Sequence, residues 1–228
     1  MAQQLTFDLP SRAALGRADF LVSPSNALAL ARLDDWRNWP GAKFVLSGPP
    51  ASGKSHLARV WALSADALVL PAKALLAQAP DQLAAGRHLA LEDCDDLAGQ
   101  SEFETALFHL FNLTRAENRA LLLTGQRPLG HWDVSLPDLK SRLLSLDTIG
   151  LSAPDDTLLS GLLLKLFSDR QLRVSPEVIS FLVPRIERSA ATAMALVEGL
   201  DEFALTRRRS ITPKLAAQFL DKWNPPRA

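Results

Sequence analysis

The stretch Lys43-Phe44-Val45-Leu46-Ser47-Gly48-Pro49-Pro50-Ala51-Ser52-Gly53-Lys54-Ser55 runs from an apolar segment, through a glycine-bounded loop, into helix-forming sequence. Residues 48–55 fit G-x-x-x-x-G-K-[ST], the pattern of a phosphate-binding loop. Gly48 and Gly53 let the backbone curl until its N–H groups face phosphate oxygens. The helix expected over 54–64 adds positive potential at its start. Lys54 is placed to reach the terminal phosphates, and Ser55 to hold Mg²⁺ through its hydroxyl. Pro49, Pro50, Ala51, Ser52 and His56 complete the expected nucleotide-binding segment.

Outward from this loop, short apolar runs alternate with helical stretches. Strands are expected at 44–46, 68–70, 89–91, 121–124 and 147–151, and helices at 26–36, 54–64, 73–78 and 103–117. Phe103, Leu107, Leu110, Phe111 and Thr114 recur on one helical face. Strands that are apolar throughout and separated by helices imply a parallel sheet covered on both sides. From residue 152 the pattern is helical only. Leu158, Leu159, Leu162, Leu163, Leu166 and Phe167 form one stripe, and Ala193, Leu196, Val197, Leu200 and Ala204 form another. Ser175-Pro176 and Thr212-Pro213 read as helix starts, with the hydroxyl residue as N-cap. The expected organisation is a tail over 1–12, an α/β domain with a five-stranded parallel sheet over 13–151, and a small helical lid over 152–228.

Composition narrows the function. The chain has 228 residues, 25 Lys and Arg against 25 Asp and Glu, and one cysteine, Cys94. A neutral chain has no bulk charge for gripping nucleic acid. A lone cysteine makes no internal disulfide, and no apolar run reaches the ~18–20 residues of a membrane helix. The expected setting is cytoplasmic, with no membrane association. The five tryptophans are scattered and read as packing anchors rather than a base-stacking platform. Arg207, Arg208 and Arg209 read as a solvated basic surface.

A phosphate loop needs an acid opposite it. His88-Leu89-Ala90-Leu91-Glu92-Asp93 ends an apolar strand in an acidic pair. Parallel strands bring their C-terminal ends to one edge, where ligands bind. With Ser55, either Glu92 or Asp93 is expected to hold Mg²⁺; in the first case Asp93 orients a water, and in a register shifted by one residue Asp93 is the ligand and Cys94 its neighbour. Asp95 and Asp96 follow as solvated acids.

These motifs, with Leu121-Leu122-Leu123-Thr124-Gly125-Gln126-Arg127-Pro128 and Leu136-Pro137-Asp138-Leu139-Lys140-Ser141-Arg142-Leu143, follow one another as in AAA+ ATPases, and most resemble the DnaA-type replication initiators. The resemblance spans roughly residues 18–222. It implies ADP or ATP with Mg²⁺ as ligand, and it places Phe20 and Val22, in Asp19-Phe20-Leu21-Val22-Ser23-Pro24-Ser25-Asn26, beside the adenine. It implies that Arg142 projects into the nucleotide site of a neighbouring subunit as an arginine finger; the simpler reading is a surface arginine paired with Asp138. Initiators carry a further DNA-binding domain, whereas this chain stops at Ala228. That shortened layout is similar to the Hda-type regulatory inactivators of DnaA. Gln4-Leu5-Thr6-Phe7-Asp8-Leu9 is similar to the hexapeptide that docks on the DNA polymerase III sliding clamp (its beta subunit). In an extended peptide Leu5, Phe7 and Leu9 project to one side and fill an apolar pocket.

Two departures stand out. The acidic pair usually begins with Asp, and here it begins with Glu92. The lid's sensor arginine falls at Ala191, with Arg188 three residues earlier. Both point to weak intrinsic hydrolysis and to ADP being held as well as ATP. The expected role is a regulator of replication initiation that contacts the initiator DnaA and the clamp, with homo-oligomers possible and no tight direct DNA binding. The alternatives are a DNA-binding helicase loader and a self-sufficient P-loop ATPase.

Overall fold

The computed structural model describes residues 21–223; the segment 4–9 and Phe20 lie outside the described residues. Five strands form one sheet: β1 (Lys43–Ser47), β2 (Ala67–Pro71), β3 (His88–Glu92), β4 (Leu121–Gly125) and β5 (Asp147–Gly150). Every adjacent pair is parallel, in the order β2-β3-β4-β1-β5. The α/β part also carries α1 (Ala27–Asp34), α2 (Lys54–Ala65), α3 (Ala74–Ala77), α4 (Pro80–Ala84), α5 (Ser101–Ala116) and α6 (Pro137–Leu144). The lid follows as α7 (Asp156–Asp169), α8 (Pro176–Leu182), α9 (Ala190–Arg207) and α10 (Pro213–Leu220).

The two-residue alternation of strand side chains sorts the core into two layers. Phe44, Leu46, Ala90 and Leu122 face α1 and α2, where Trp39 and Trp61 stack with ring centroids 5.3 Å apart. Val45, Leu89, Leu91, Leu121 and Leu123 face the other way, onto Phe103, Leu107, Leu110 and Phe111 of α5. Both layers are apolar, because β1 and β4 are buried on both faces. The lid has its own core, built on Leu159, Leu163, Phe167, Leu196 and Leu200.

Side-chain caps start three of the lid's helices. Asp155, Ser189 and Thr212 cap α7, α9 and α10 by accepting N–H bonds from Leu158, Thr192 and Leu215. Ser175 departs from the expected cap. Its side chain makes no capping bond to α8. It instead hydrogen-bonds the Glu177 carboxylate, which holds that acid below the ordinary glutamate range. The hydroxyl donates to this charged acceptor two residues away. Among the described residues no helix is long and apolar enough to cross a membrane.

A buried carboxylate fixes the approach to α6. Glu104 on α5 accepts N–H bonds from Gly99 (2.8 Å), Ser135 (2.9 Å) and Leu136 (2.7 Å). Burial pushes its pKa up, but the donors of Ser135, Gly99 and Leu136 together outweigh that and hold it below the ordinary value. Glu104→Ala leaves three part-buried N–H groups without their acceptor. The expected cost is about 2–4 kcal/mol, read as a fall in Tm of roughly 4–16 °C by calorimetry.

His88 makes the fold acid-sensitive. Its Nδ1 accepts the N–H of Ala120 at 2.8 Å, which only the neutral ring can do. Burial, then the charges of Arg119 and Arg37, lower its pKa, against a smaller pull from Asp66. Below pH ~6.5 the unfolded chain takes up a proton that the folded chain refuses, so stability falls as pH drops through that range. In urea titrations at pH 7 and pH 5.5, His88→Gln is expected to lose less stability between the two than the unaltered protein; an equal loss removes His88 as the cause.

Candidate nucleotide site

β1 and β4 are neighbours in register, with Ser47 beside Gly125. The loop after β1 is therefore anchored from both sides: Gly48 N–H donates to Gly125 O (3.1 Å), and Leu151 N–H donates to Ser47 O (2.7 Å). Gly48 has φ +154°, and a Cβ there would lie 2.7 Å from Leu151 O and 3.0 Å from Ser52 Oγ. Only glycine fits this turn. Ala51 sits at φ +56°, a left-handed conformation that costs a non-glycine residue energy. The loop ends at Gly53 (φ +100°), where α2 begins.

Lys54 is buried, and its ammonium donates to Gly48 O (2.6 Å) and Pro49 O (2.9 Å). Burial lowers its pKa, opposed by Asp93, then Asp95, Glu92 and Asp96. So one ammonium lies between curled carbonyls and a group of carboxylates. The buried hydroxyl of Ser52 has no hydrogen-bond partner in the protein. A phosphate drawn into the loop fits this arrangement. It offers Ser52 an acceptor, and its charge attracts Lys54 more strongly than two neutral carbonyls do.

Glu92 is the last residue of β3, and its Oε1 is buried without a partner. Asp93 follows at φ +58°, and its N–H donates to Thr124 Oγ1 at the end of β4 (3.1 Å). Burial, then Asp96 and Glu92, push its carboxyl above the ordinary range, against the pull of Lys54. Carboxylates crowded this way gain from a divalent cation, whose oxygen-rich preference they meet. Among the described residues no three His, Cys, Asp or Glu side chains are grouped to hold a metal by themselves.

Asp95 corrects the reading of a solvated acid. It is buried and accepts the N–H groups of Gln126 (2.9 Å) and Arg127 (3.0 Å), with Arg127 Nε at 3.4 Å. Arg127 also donates to Asp95 O (3.0 Å) and Asp133 (2.9 Å). The clasp is tight: a Cβ on Gly125 would lie 2.8 Å from Asp95 Oδ1. It ties the turn that carries Glu92 and Asp93 to the loop after β4. Thr124 belongs to the site through its bond to Asp93, a role signalled in the sequence only by its place at the end of a strand.

A cavity of about 330 Å³ lies between the loop and the lid. Ser52, Gly53 and His56 line one side, and Leu158, Leu162 and Leu166 of α7 the other. Its size lies within the range of small-molecule pockets. Leu21 lines it, whereas Val22 is exposed. From α9 it is lined by Ala190 and Met194. Ala191 is exposed, and Arg188 pairs with Asp156 at 2.8 Å, at the start of α7. The lining cations are Arg59 and Lys165.

Arg142 lies at the opposite edge. It precedes β5, whose Asp147 pairs with Phe44, and the phosphate loop follows the far end of β1. At ~3.3 Å per strand residue, the sheet itself separates the two. Its guanidinium lies over the Phe108 ring (4.5 Å to the centroid) and donates to the side-chain oxygen of Asn112. Asp138 is not its partner, and no acid among the described residues pairs with it.

The remaining candidates are structural. Trp132 donates to Arg127 O (2.9 Å), and Trp223 packs on Phe219. Arg207 lies over Phe203, and Arg208 ends α9 at φ +51°. Cys94 is buried, and burial pushes its thiol far above the ordinary range.

No protein-family model matches the chain. A Haemophilus influenzae protein described as uncharacterized is 28% identical over 189 residues, covering 78% of this chain and 81% of its own. Domain III of the Thermotoga maritima replication initiation protein DnaA superposes with a TM-score of 0.79 at 18% identity, covering 96% of this chain and 100% of that one. AMPPCP-bound DnaA from Aquifex aeolicus gives a TM-score of 0.65 at 18% identity, covering 82% of this chain and 64% of that one. The fold is thus that of DnaA domain III: a five-stranded parallel sheet with a helical C-terminal part.

Proposed function

We propose that this chain is a nucleotide-binding regulator of replication initiation, of the Hda type, that acts on the initiator DnaA. It binds ADP or ATP at residues 48–56, with the base in the cavity under the lid. Lys54 and the loop N–H groups hold the phosphates, while Ser55 and Glu92 would hold Mg²⁺ and Asp93 would orient a water. Bound Mg²⁺ supplies charge neutralisation between the phosphates. Arg142 then serves in trans: it enters the nucleotide site of ATP-loaded DnaA and stabilises charge on the transferring phosphoryl group. Residues 4–9 dock on the sliding clamp and bring the protein to loaded DNA.

The observation that carries this reading is the place of Arg142. It is an arginine with no acidic partner among the described residues, at the opposite end of the strands from its own loop at 48–55. An arginine there has no phosphate of its own to serve. The likeness to initiators adds support, as does the loop's fit to phosphate. Zero net charge favours reaching DNA through the clamp over gripping it directly.

The test mixes the protein with ATP-loaded DnaA, clamp and DNA and follows hydrolysis. Acceleration is expected, with little turnover by the isolated protein. No acceleration overturns the role in initiation. Leu5→Ala with Phe7→Ala is expected to abolish clamp binding, read by surface plasmon resonance, and to remove the clamp's contribution to that rate.

A further inference from the structure

Arg142 is held more closely than a surface arginine needs to be. Phe108 and Asn112 lie four residues apart on α5 and so share one helical face. The Phe108 ring underlies the guanidinium, and the Asn112 side-chain oxygen accepts one of its N–H groups. The two constraints differ: the ring fixes the plane, and the amide fixes the rotation within it. Both leave the charge intact. A carboxylate in place of Asn112 would hold the arginine equally well but would cancel the charge it carries to a phosphate.

The base of this arrangement is also cationic. Lys43 is buried at the start of β1, with its ammonium 4.9 Å from the Phe111 ring and donating to Gly41 O (3.2 Å). Burial, then the charges of Arg115 and Arg142, bring its pKa down to about 8. The charged groups that face it are Arg115 from α5 and Arg142 from α6. Like charge beneath Arg142 resists its collapse into the core, and the ring and amide limit its freedom outward. The frame is rigid, because Leu139 and Leu143 of α6 are buried against α5 and Glu104 pins the start of α6.

We infer that Asn112 and Phe108 are positioning residues that hold the Arg142 guanidinium preformed at the sheet edge without neutralising it. The inference rests on the trans role proposed for Arg142. A preformed finger loses less rotamer freedom when a partner's phosphate arrives, and its reach is set before the encounter.

Asn112→Leu removes the acceptor at similar volume. Two readouts are taken on the full chain. In the hydrolysis assay with DnaA, the maximal stimulated rate is expected to fall about 10- to 100-fold with little change in the half-stimulating concentration. In a ¹³C-lysine NMR titration, the Lys43 midpoint is expected to rise from near 8 toward the value that Arg142→Ala produces, because the guanidinium no longer stays beside it. A Lys43 midpoint unmoved by Asn112→Leu overturns the inference. So does a moved midpoint with full stimulation, because the guanidinium then needs no holding. If the unaltered protein fails to stimulate DnaA at all, the trans role falls, and the Lys43 midpoint alone decides whether Asn112 holds Arg142.

Discussion

Lys54→Ala is expected to remove nucleotide binding while leaving the chain folded. By isothermal titration calorimetry the Kd for ADP should rise about 30- to 5,000-fold, which corresponds to about 2–5 kcal/mol. The size follows from where the ammonium sits. It is the one cation inside the loop, it is buried, and carboxylates flank it on the far side. Without it the phosphates meet Glu92 and Asp93 with only the backbone N–H groups and the start of α2 to oppose the repulsion. The fold should survive, because the two bonds that Lys54 makes are to Gly48 O and Pro49 O in an open loop, not to the core. Circular dichroism should be unchanged. Unaltered ADP affinity in a folded variant would remove the loop as the phosphate site.

The periodicity of the sequence reaches the elements but not all of their partners. β1 and β4 and the buried stripe of α5 follow from the spacing of apolar residues, because burial on both faces leaves a continuous signal, whereas β5 alternates half-buried with exposed residues and gives a weaker one. The turn at 48–53 was legible because the pattern demands fixed residue types at fixed offsets, and glycine stands where the backbone requires it. Asp95 was not legible. Its neighbours in sequence are acids, and its partners Gln126 and Arg127 are more than 30 residues away. Only the pairing of β3 with β4 brings them together. Ser175 is a local case: the helix starts where the Ser-Pro pair places it, but the hydroxyl donates to the Glu177 carboxylate and makes no capping bond. Arg142 shows a third case. Asp138 lies one helical turn away in sequence, yet the guanidinium turns to α5. Packing of α6 on α5 sets its direction, and no spacing rule within α6 contains that information.

Arg142→Ala separates the two ends of the sheet. Stimulated hydrolysis by DnaA is expected to fall about 10³- to 10⁵-fold, the range associated with loss of an arginine finger. Three other properties should hold. Nucleotide affinity of the chain itself stays, because Arg142 is at the opposite edge from residues 48–56. Clamp binding stays, because residues 4–9 are proposed to carry it. Stability changes by only ~1 kcal/mol, because the side chain gives up one ring contact and one bond to a neutral amide at a half-exposed site. Arg142→Lys discriminates further. It keeps the charge but lacks the planar fork that fits both the Phe108 face and a phosphate, so it should recover only a small part of the rate. If Arg142→Ala stimulates as the unaltered protein does, the trans role is wrong, whatever the loop binds. If Arg142→Lys restores the full rate, charge alone suffices and the orientation imposed by Phe108 and Asn112 is without consequence.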